Sequence, residues 1–308
     1  MRKKYSARGV AGKLRLQPAS RCQSPPKVAI LSFQSRVVWG HVGNSVAEFA
    51  LRRAGVDAWP IDTVCLSHHP GHGRCRGRVR EPEELAELVR GLEDVGALWR
   101  CRALLSGYLG SWRNGEVVLD AVARLKRGRP DALFCCDPVM GDHDVGFYVD
   151  DGLIRFFRDR AVAAADILMP NHFELQTLAG AELPSPAAVL AAADRLHARG
   201  PQVLLVSSLP DADGQGRLGT LLSTGEGAWL ATTPRLPMPA RGAGDLLAAQ
   251  FLARWLRDGE PPQCLAVAVA ATYAVLAGSV DTPELRLVAA QQAMAAPPLD
   301  PVVVRRLR

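Results

Sequence analysis

Val28-Ala29-Ile30-Leu31-Ser32-Phe33 is a short, almost wholly apolar run, and a glycine-bearing turn follows at Gly40-His41-Val42-Gly43-Asn44. Ser45 to Ala54 then reads as a helix stopped by Gly55. A continuous apolar run of this length suits a strand buried on both faces, as in a parallel sheet. The rhythm recurs down the chain. Asp57 to Thr63, Ala103 to Ser106, Leu133 to Cys136, Ile167 to Met169 and Val203 to Val206 read as strands. Helices are expected at Glu83 to Leu92, Glu116 to Lys126, Asn171 to Gly180, Ser185 to Gly200, Asp245 to Arg257, Leu265 to Leu276 and Pro283 to Met294. Gly219 to Ser223 and Ala228 to Thr232 read as a hairpin, and residues 65–82 as a long loop or flap. Alternating strands and helices predict an α/β fold, a three-layer α/β/α sandwich around a mostly parallel central sheet. No repeat and no linker divides the chain, so residues 27–308 are expected to form one domain.

Composition narrows the function classes. The 308 residues are 48% hydrophobic and 22% charged, enough to bury a core without staples. The net charge of +6 suits anionic small molecules, but it is concentrated at one end. Residues 1–22 carry Arg2, Lys3, Lys4, Arg8, Lys13, Arg15 and Arg21 and no acid. Residues 1–26 are therefore read as a disordered basic arm, and the remainder is not read as a nucleic-acid binder. Seven cysteines without a CxxC pair point to a reducing compartment, with Cys135 and Cys136 as buried strand residues. No apolar run suits a membrane span, and the basic stretch lacks the apolar core of a secretory signal. A cytoplasmic setting is expected.

Open α/β sheets bind ligands beyond the carboxyl ends of their strands, and the unusual segments fall there. Arg241-Gly242-Ala243-Gly244-Asp245 opens a helix. The free amides of such a start, aided by the helix dipole, can hold a transferring phosphate. Asp245 beside them could take a proton from an attacking hydroxyl. The same residues also suit a plain glycine turn with an acidic helix start. Asn171 and Glu174 fit a reciprocal helix cap, or a site holding Mg²⁺ through water. Asp137 could form a turn or carry charge. Cys65, His68, His69, His72 and Cys75 are metal-ligand types at close spacing, though in no standard zinc pattern. Arg74, Arg76, Arg78 and Arg80 lie on the same segment, as a solvated face or a phosphate-facing lid.

In order along the chain stand Gln34-Ser35, Gly40-His41-Val42-Gly43-Asn44-Ser45, Ser106-Gly107-Tyr108-Leu109-Gly110-Ser111, Cys136-Asp137-Pro138-Val139-Met140-Gly141, Pro170-Asn171-His172-Phe173-Glu174-Leu175 and Gly242-Ala243-Gly244-Asp245. This series resembles the pyridoxal kinases of the ribokinase-like superfamily, above all the bacterial pyridoxal/pyridoxamine/pyridoxine kinases, from about Val28 to about Met294. The resemblance implies an ATP-dependent kinase acting on the 5′-hydroxymethyl group of a vitamin B6 vitamer. It implies Asp245 as catalytic base, with Gly242, Ala243 and Gly244 supplying anion-hole amides. Ser35 would contact the pyridine ring, and His69, Pro70 and Gly71 would form the substrate loop. Asp137, Met169, Glu174 and Ser207 would serve ATP, with Asp137 and Glu174 near Mg²⁺. A monovalent cation and a homodimer belong to the same expectation.

Three departures stand out. Val206-Ser207-Ser208 replaces the usual Val-Lys-His, so a lysine that reaches the ATP phosphates is missing. Such a charge-assisted contact is worth about 1.5–3 kcal/mol. Arg241 and Arg217 are the candidate replacements. The substrate loop reads His68-His69-Pro70-Gly71-His72-Gly73 where the family often has Asn-His-Thr-Gln-Tyr-Gly. Leu246-Leu247-Ala248-Ala249 follows Asp245 where the family has small polar residues. These changes leave open two other readings, a kinase for another hydroxymethyl heterocycle such as the thiamin-precursor pyrimidine, or a carrier or sensor that binds vitamers.

Overall fold

The computed structural model describes residues 28–210, 214–237, 241–257 and 259–308. The basic arm at 1–26 lies outside the described residues. A ten-stranded sheet runs in the order β12-β11-β10-β9-β8-β5-β4-β1-β2-β3. Its parallel centre is β1 (Ala29–Trp39), β2 (Asp57–His68), β4 (Cys101–Ser106), β5 (Leu133–Cys136), β8 (Ile167–Leu168) and β9 (Val203–Leu209). Antiparallel strands flank it: β3 (Gly77–Val79) on one edge, and β10 (Arg217–Thr224), β11 (Gly227–Pro234) and β12 (Val303–Arg306) on the other. Strands from both ends of the described chain thus share one sheet.

Side-chain alternation splits the core into two faces. Leu31, Phe33, Leu104, Cys136, Leu204 and Val206 point to one side. There they meet α2 (Pro82–Asp94), α3 (Trp112–Gly128), α4 (Asp151–Phe156), α6 (His172–Ala179) and α7 (Pro186–His197). Ile30, Ala103, Leu105, Cys135, Val203 and Leu205 point to the other side. They meet α1 (Asn44–Arg53), α8 (Ala243–Arg257), α9 (Pro261–Ala277) and α10 (Gln291–Ala295). The three layers match the expected sandwich. Cys135 and Cys136 are fully buried, as expected.

Four features depart from the sequence reading. Residues 65–82 are largely ordered as the β2–β3 hairpin, with Cys65 opposite Arg78 and Leu66 opposite Gly77. A Cβ on Gly77 would lie 2.0 Å from the Cys65 carbonyl oxygen, so only glycine lets the strands close there. Arg78 and Arg80 pair with Glu84, which makes them a salt-bridged surface face. Pro283 to Met294 is not one helix, since only Gln291–Ala295 is α-helical. An unexpected helical stretch fills residues 151–164: α4, a π-turn at Phe157–Ala161 and α5 (Val162–Ala164), opened by the Asp150 carboxylate on the Leu153 amide. A small hairpin, β6 (Gly141–Asp142) with β7 (Gly146–Phe147), leads into it.

Candidate active site

The carboxyl ends of β1, β4, β5, β8 and β9 share one rim, and the start of α8 closes over it. Gly242 has φ +89°, and a Cβ there would lie 2.2 Å from the His41 carbonyl oxygen. The turn before α8 is thereby pressed onto the turn after β1, a fit that requires glycine. The Gly242 carbonyl accepts the Leu246 amide at 3.0 Å. The amides of Ala243, Gly244 and Asp245 find no acceptor among the described residues, as is usual in the first turn of a helix. A Cβ on Gly244 would stand 4.0 Å from Asp137 Oδ2, so this amide-bearing turn faces Asp137.

Asp245 Oδ2 accepts the Gly43 amide at 2.8 Å. Gly43 has φ +56°, and a Cβ on it would lie 2.1 Å from the Ser35 carbonyl oxygen and 2.7 Å from Ser35 Oγ. Ser35, Gly43 and Asp245, which come from β1, the next turn and α8, therefore form one contact. Burial raises Asp245 to about 6, against the pull of the Gly43 hydrogen bond.

Asp137 directly follows β5 and is 7% exposed. Among the described residues its carboxylate accepts no hydrogen bond. Burial, then Glu174, then Asp245 push it well above the usual carboxylate range. Glu174 completes the expected capping box: Asn171 Oδ1 accepts the Glu174 amide at 2.9 Å, and Glu174 Oε2 accepts the Asn171 amide at 2.8 Å. Its Oε1 accepts the Met140 amide at 2.8 Å. Burial raises Glu174 to about 7, opposed by hydrogen bonds from the Met140, Asn171 and Gly141 amides. The cap and the acidic-site readings thus fall on the same side chain. Like-charged buried carboxylates with an unbonded member suit a hard cation.

The other expected residues scatter around this centre. Met169 packs in the core, where Cys135 Sγ donates to its Sδ at 3.4 Å. Ser207 sits where β9 breaks register with β10, its amide bonded to the Pro170 carbonyl, and Ser208 has φ +57°. Of the two candidate replacement arginines, Arg217 is committed elsewhere: its guanidinium binds Thr232 and the Pro301 carbonyl. Arg241 instead donates to the Gly71 carbonyl at 3.2 Å, at the substrate loop. His69 Nδ1 accepts the Gly71 amide at 3.0 Å, which places the ring proton on Nε2. Burial, and then Arg241, lower the His69 pKa, so the ring is neutral near pH 7. Among the described residues no three His, Cys, Asp or Glu side chains are grouped to hold a metal. His68 lies 3.1 Å from Ser67 Oγ, and His72 faces Glu284.

Tyr148 was not singled out from sequence. Its hydroxyl titrates upward, through burial and then through Glu174, Asp137, Asp142 and Asp245. It therefore borders the acidic centre. No local pattern at Phe147-Tyr148-Val149 announces this.

A parallel sheet whose strand ends meet a Gly-Ala-Gly-Asp helix start is the arrangement expected of a small-molecule kinase of the ribokinase-like class. The family model for pfkB family carbohydrate kinases matches residues 148–284. The pyridoxal kinase PdxY of Rubrobacter xylanophilus is 47% identical over 274 residues, spanning 88% of this chain and 94% of that protein. That of Deinococcus radiodurans is 44% identical over 271 residues, spanning 85% and 91%. The pyridoxal kinase of Leishmania donovani in complex with ADP and pyridoxamine superposes with a TM-score of 0.83 at 27% identity, covering 91% of this chain and 99% of that one. The chain belongs to the pyridoxal kinase family.

Proposed function

We propose that this kinase transfers the γ-phosphate of ATP to the 5′-hydroxymethyl group of pyridoxal, with pyridoxine and pyridoxamine as further substrates. The carrying observation is Asp245: one carboxylate oxygen is held by the Gly43 amide, beside the amides that open α8, which find no acceptor among the described residues. In this reading Asp245 accepts the hydroxyl proton as the oxygen attacks phosphorus. The amides from Gly242 to Gly244 meet the charge on the transferring group. Ser35 contacts the ring, and the neutral His69, with Pro70 and Gly71, walls the pocket. Met169 and Ser207 border the nucleotide.

Asp137 and Glu174 are the residues that would hold Mg²⁺ through water, and the ion would supply neutralisation of the phosphate charge. Arg241 brings a cation to the mouth that Ser207 cannot. Ser207, at the irregularity in β9, offers the phosphates no charge where the family's lysine would, and the altered substrate loop changes the contacts to the vitamer. The resemblance also supports a homodimer and a cytoplasmic setting. Among the described residues no helix is long and apolar enough to cross a membrane.

A substrate panel tests the reading. With saturating Mg-ATP, pyridoxal should release ADP at least about 10-fold faster than the thiamin-precursor hydroxymethylpyrimidine, the margin that about 1.4 kcal/mol of transition-state preference gives. The reverse preference would reassign the substrate. Tight vitamer binding without ADP formation would instead make the chain a carrier.

A further inference from the structure

Glu284 lies between α9 and α10, in the stretch where sequence predicts a helix and the chain instead turns. Its side chain is 13% exposed, and it reaches two loops from the other end of the sequence. Oε2 accepts the His41 amide at 2.8 Å. Oε1 lies 2.5 Å from His72 Nε2, whose side chain is 15% exposed. A Cβ on Gly40 would fall 2.6 Å from Oε2, so the carboxylate is pressed against the turn itself.

Each contact leads to the site. His41 carries the carbonyl that seats Gly242, and two residues on, Gly43 donates to Asp245. His72 ends the short turn Pro70–His72, in which Gly71 accepts from Arg241. The Trp39 ring lies 4.8 Å from His72 and 6.4 Å from His68, and covers the clasp from outside. One carboxylate therefore ties the turn that positions Ser35 and Gly43 to the turn that carries His69, Pro70 and Gly71.

We infer that Glu284 is a positioning residue for the vitamer mouth, holding its two loops in the binding arrangement without touching the reacting atoms. The inference deepens the pyridoxal kinase reading and rests on it. Without the clasp the loops separate, and vitamer binding must bear the cost of bringing them together. Once vitamer is saturating, the arrangement is restored. The loss therefore falls on KM for pyridoxal, and kcat is spared.

The test combines calorimetric titration of pyridoxal with steady-state ADP release. Glu284→Ala should weaken pyridoxal affinity and raise its KM about 10- to 50-fold, as loss of a preorganised state does, with kcat and KM for ATP within about 3-fold. Glu284→Gln retains an acceptor for His41 and offers an amide to His72, and it should recover most of the affinity. His72→Ala breaks half of the clasp on a surface turn and should weaken pyridoxal alone by about 5-fold. It decides the matter if Glu284→Ala does not fold. Unchanged pyridoxal affinity in Glu284→Ala or His72→Ala, or equal losses for pyridoxal and ATP, would overturn the inference. Wild-type protein that binds pyridoxal but releases no ADP would refute the kinase reading alone. The calorimetric comparison would still judge the clasp.

Discussion

Asp245→Asn should lower kcat by about 10²- to 10⁴-fold while the protein folds and binds pyridoxal normally. The asparagine oxygen can accept the Gly43 amide that Asp245 Oδ2 accepts at 2.8 Å, so the geometry has an isosteric replacement. What is lost is the site for the proton. Burial has already raised Asp245 to about 6, close to the value that balances deprotonation at neutral pH against proton affinity. Turnover close to wild type, in a variant whose melting curve and pyridoxal affinity are unchanged, would remove Asp245 from the mechanism.

Asp137→Asn should move activity and stability in opposite directions. The carboxylate is buried, accepts no hydrogen bond among the described residues, and is acted on by the negative charges of Glu174 and Asp245. Its pKa in the folded protein is therefore raised above the unfolded value. The sign follows from proton linkage. Below the unfolded carboxylate pKa the group is neutral in both states and costs nothing. As pH rises from there towards the folded pKa, the unfolded chain releases the proton first and the folded state loses stability. Asparagine removes that penalty. In the absence of nucleotide the variant should melt roughly 2–6 °C higher than wild type near pH 8, and no higher near pH 4. Turnover should fall about 10- to 100-fold, the usual cost of losing a group that orders a metal through its outer shell. Calorimetric scans at both pH values and an ADP-release assay check the two halves. A variant no more stable near pH 8 would show that the carboxylate is solvated and unstrained.

The sheet was legible because its central strands are short apolar runs that alternate between two helix layers. Ile30 and Leu31 show it on β1, Cys135 and Cys136 on β5. The Asn171–Glu174 cap was legible because both partners of a reciprocal bond lie three residues apart. Asp245 and Asp137 stood out because one opens a helix and the other follows a recognisable strand, whereas Ser35, expected after the first strand, lies inside the longer β1. What escaped depends on distant contacts. The β2–β3 hairpin was hidden by glycine, proline and arginine, yet Gly77 is the residue that lets its strands approach. The 283–294 stretch carries buried Leu285 and Leu287, which look helical among alanines. Their spacing of two is wrong for one helix face, and Glu284 is drawn instead to His41 and His72. Tyr148 is brought to the acids by the β6–β7 hairpin, which returns the chain so that the Tyr148 amide bonds the Met140 carbonyl. Arg217 looked as available as Arg241 until its bonds to Thr232 and Pro301 were visible.

The most direct measurement is the pH dependence of kcat/KM for pyridoxal in wild type and Asp245→Asn, from about pH 5 to about pH 8. A base must be ionised to work, so a folded pKa of about 6 predicts that wild-type kcat/KM rises through that value to a plateau. The small residual activity of Asp245→Asn should lack this acid limb. A wild-type profile that is flat across the range, or an unaltered limb in the variant, would contradict the assignment of Asp245 as the group that takes the proton.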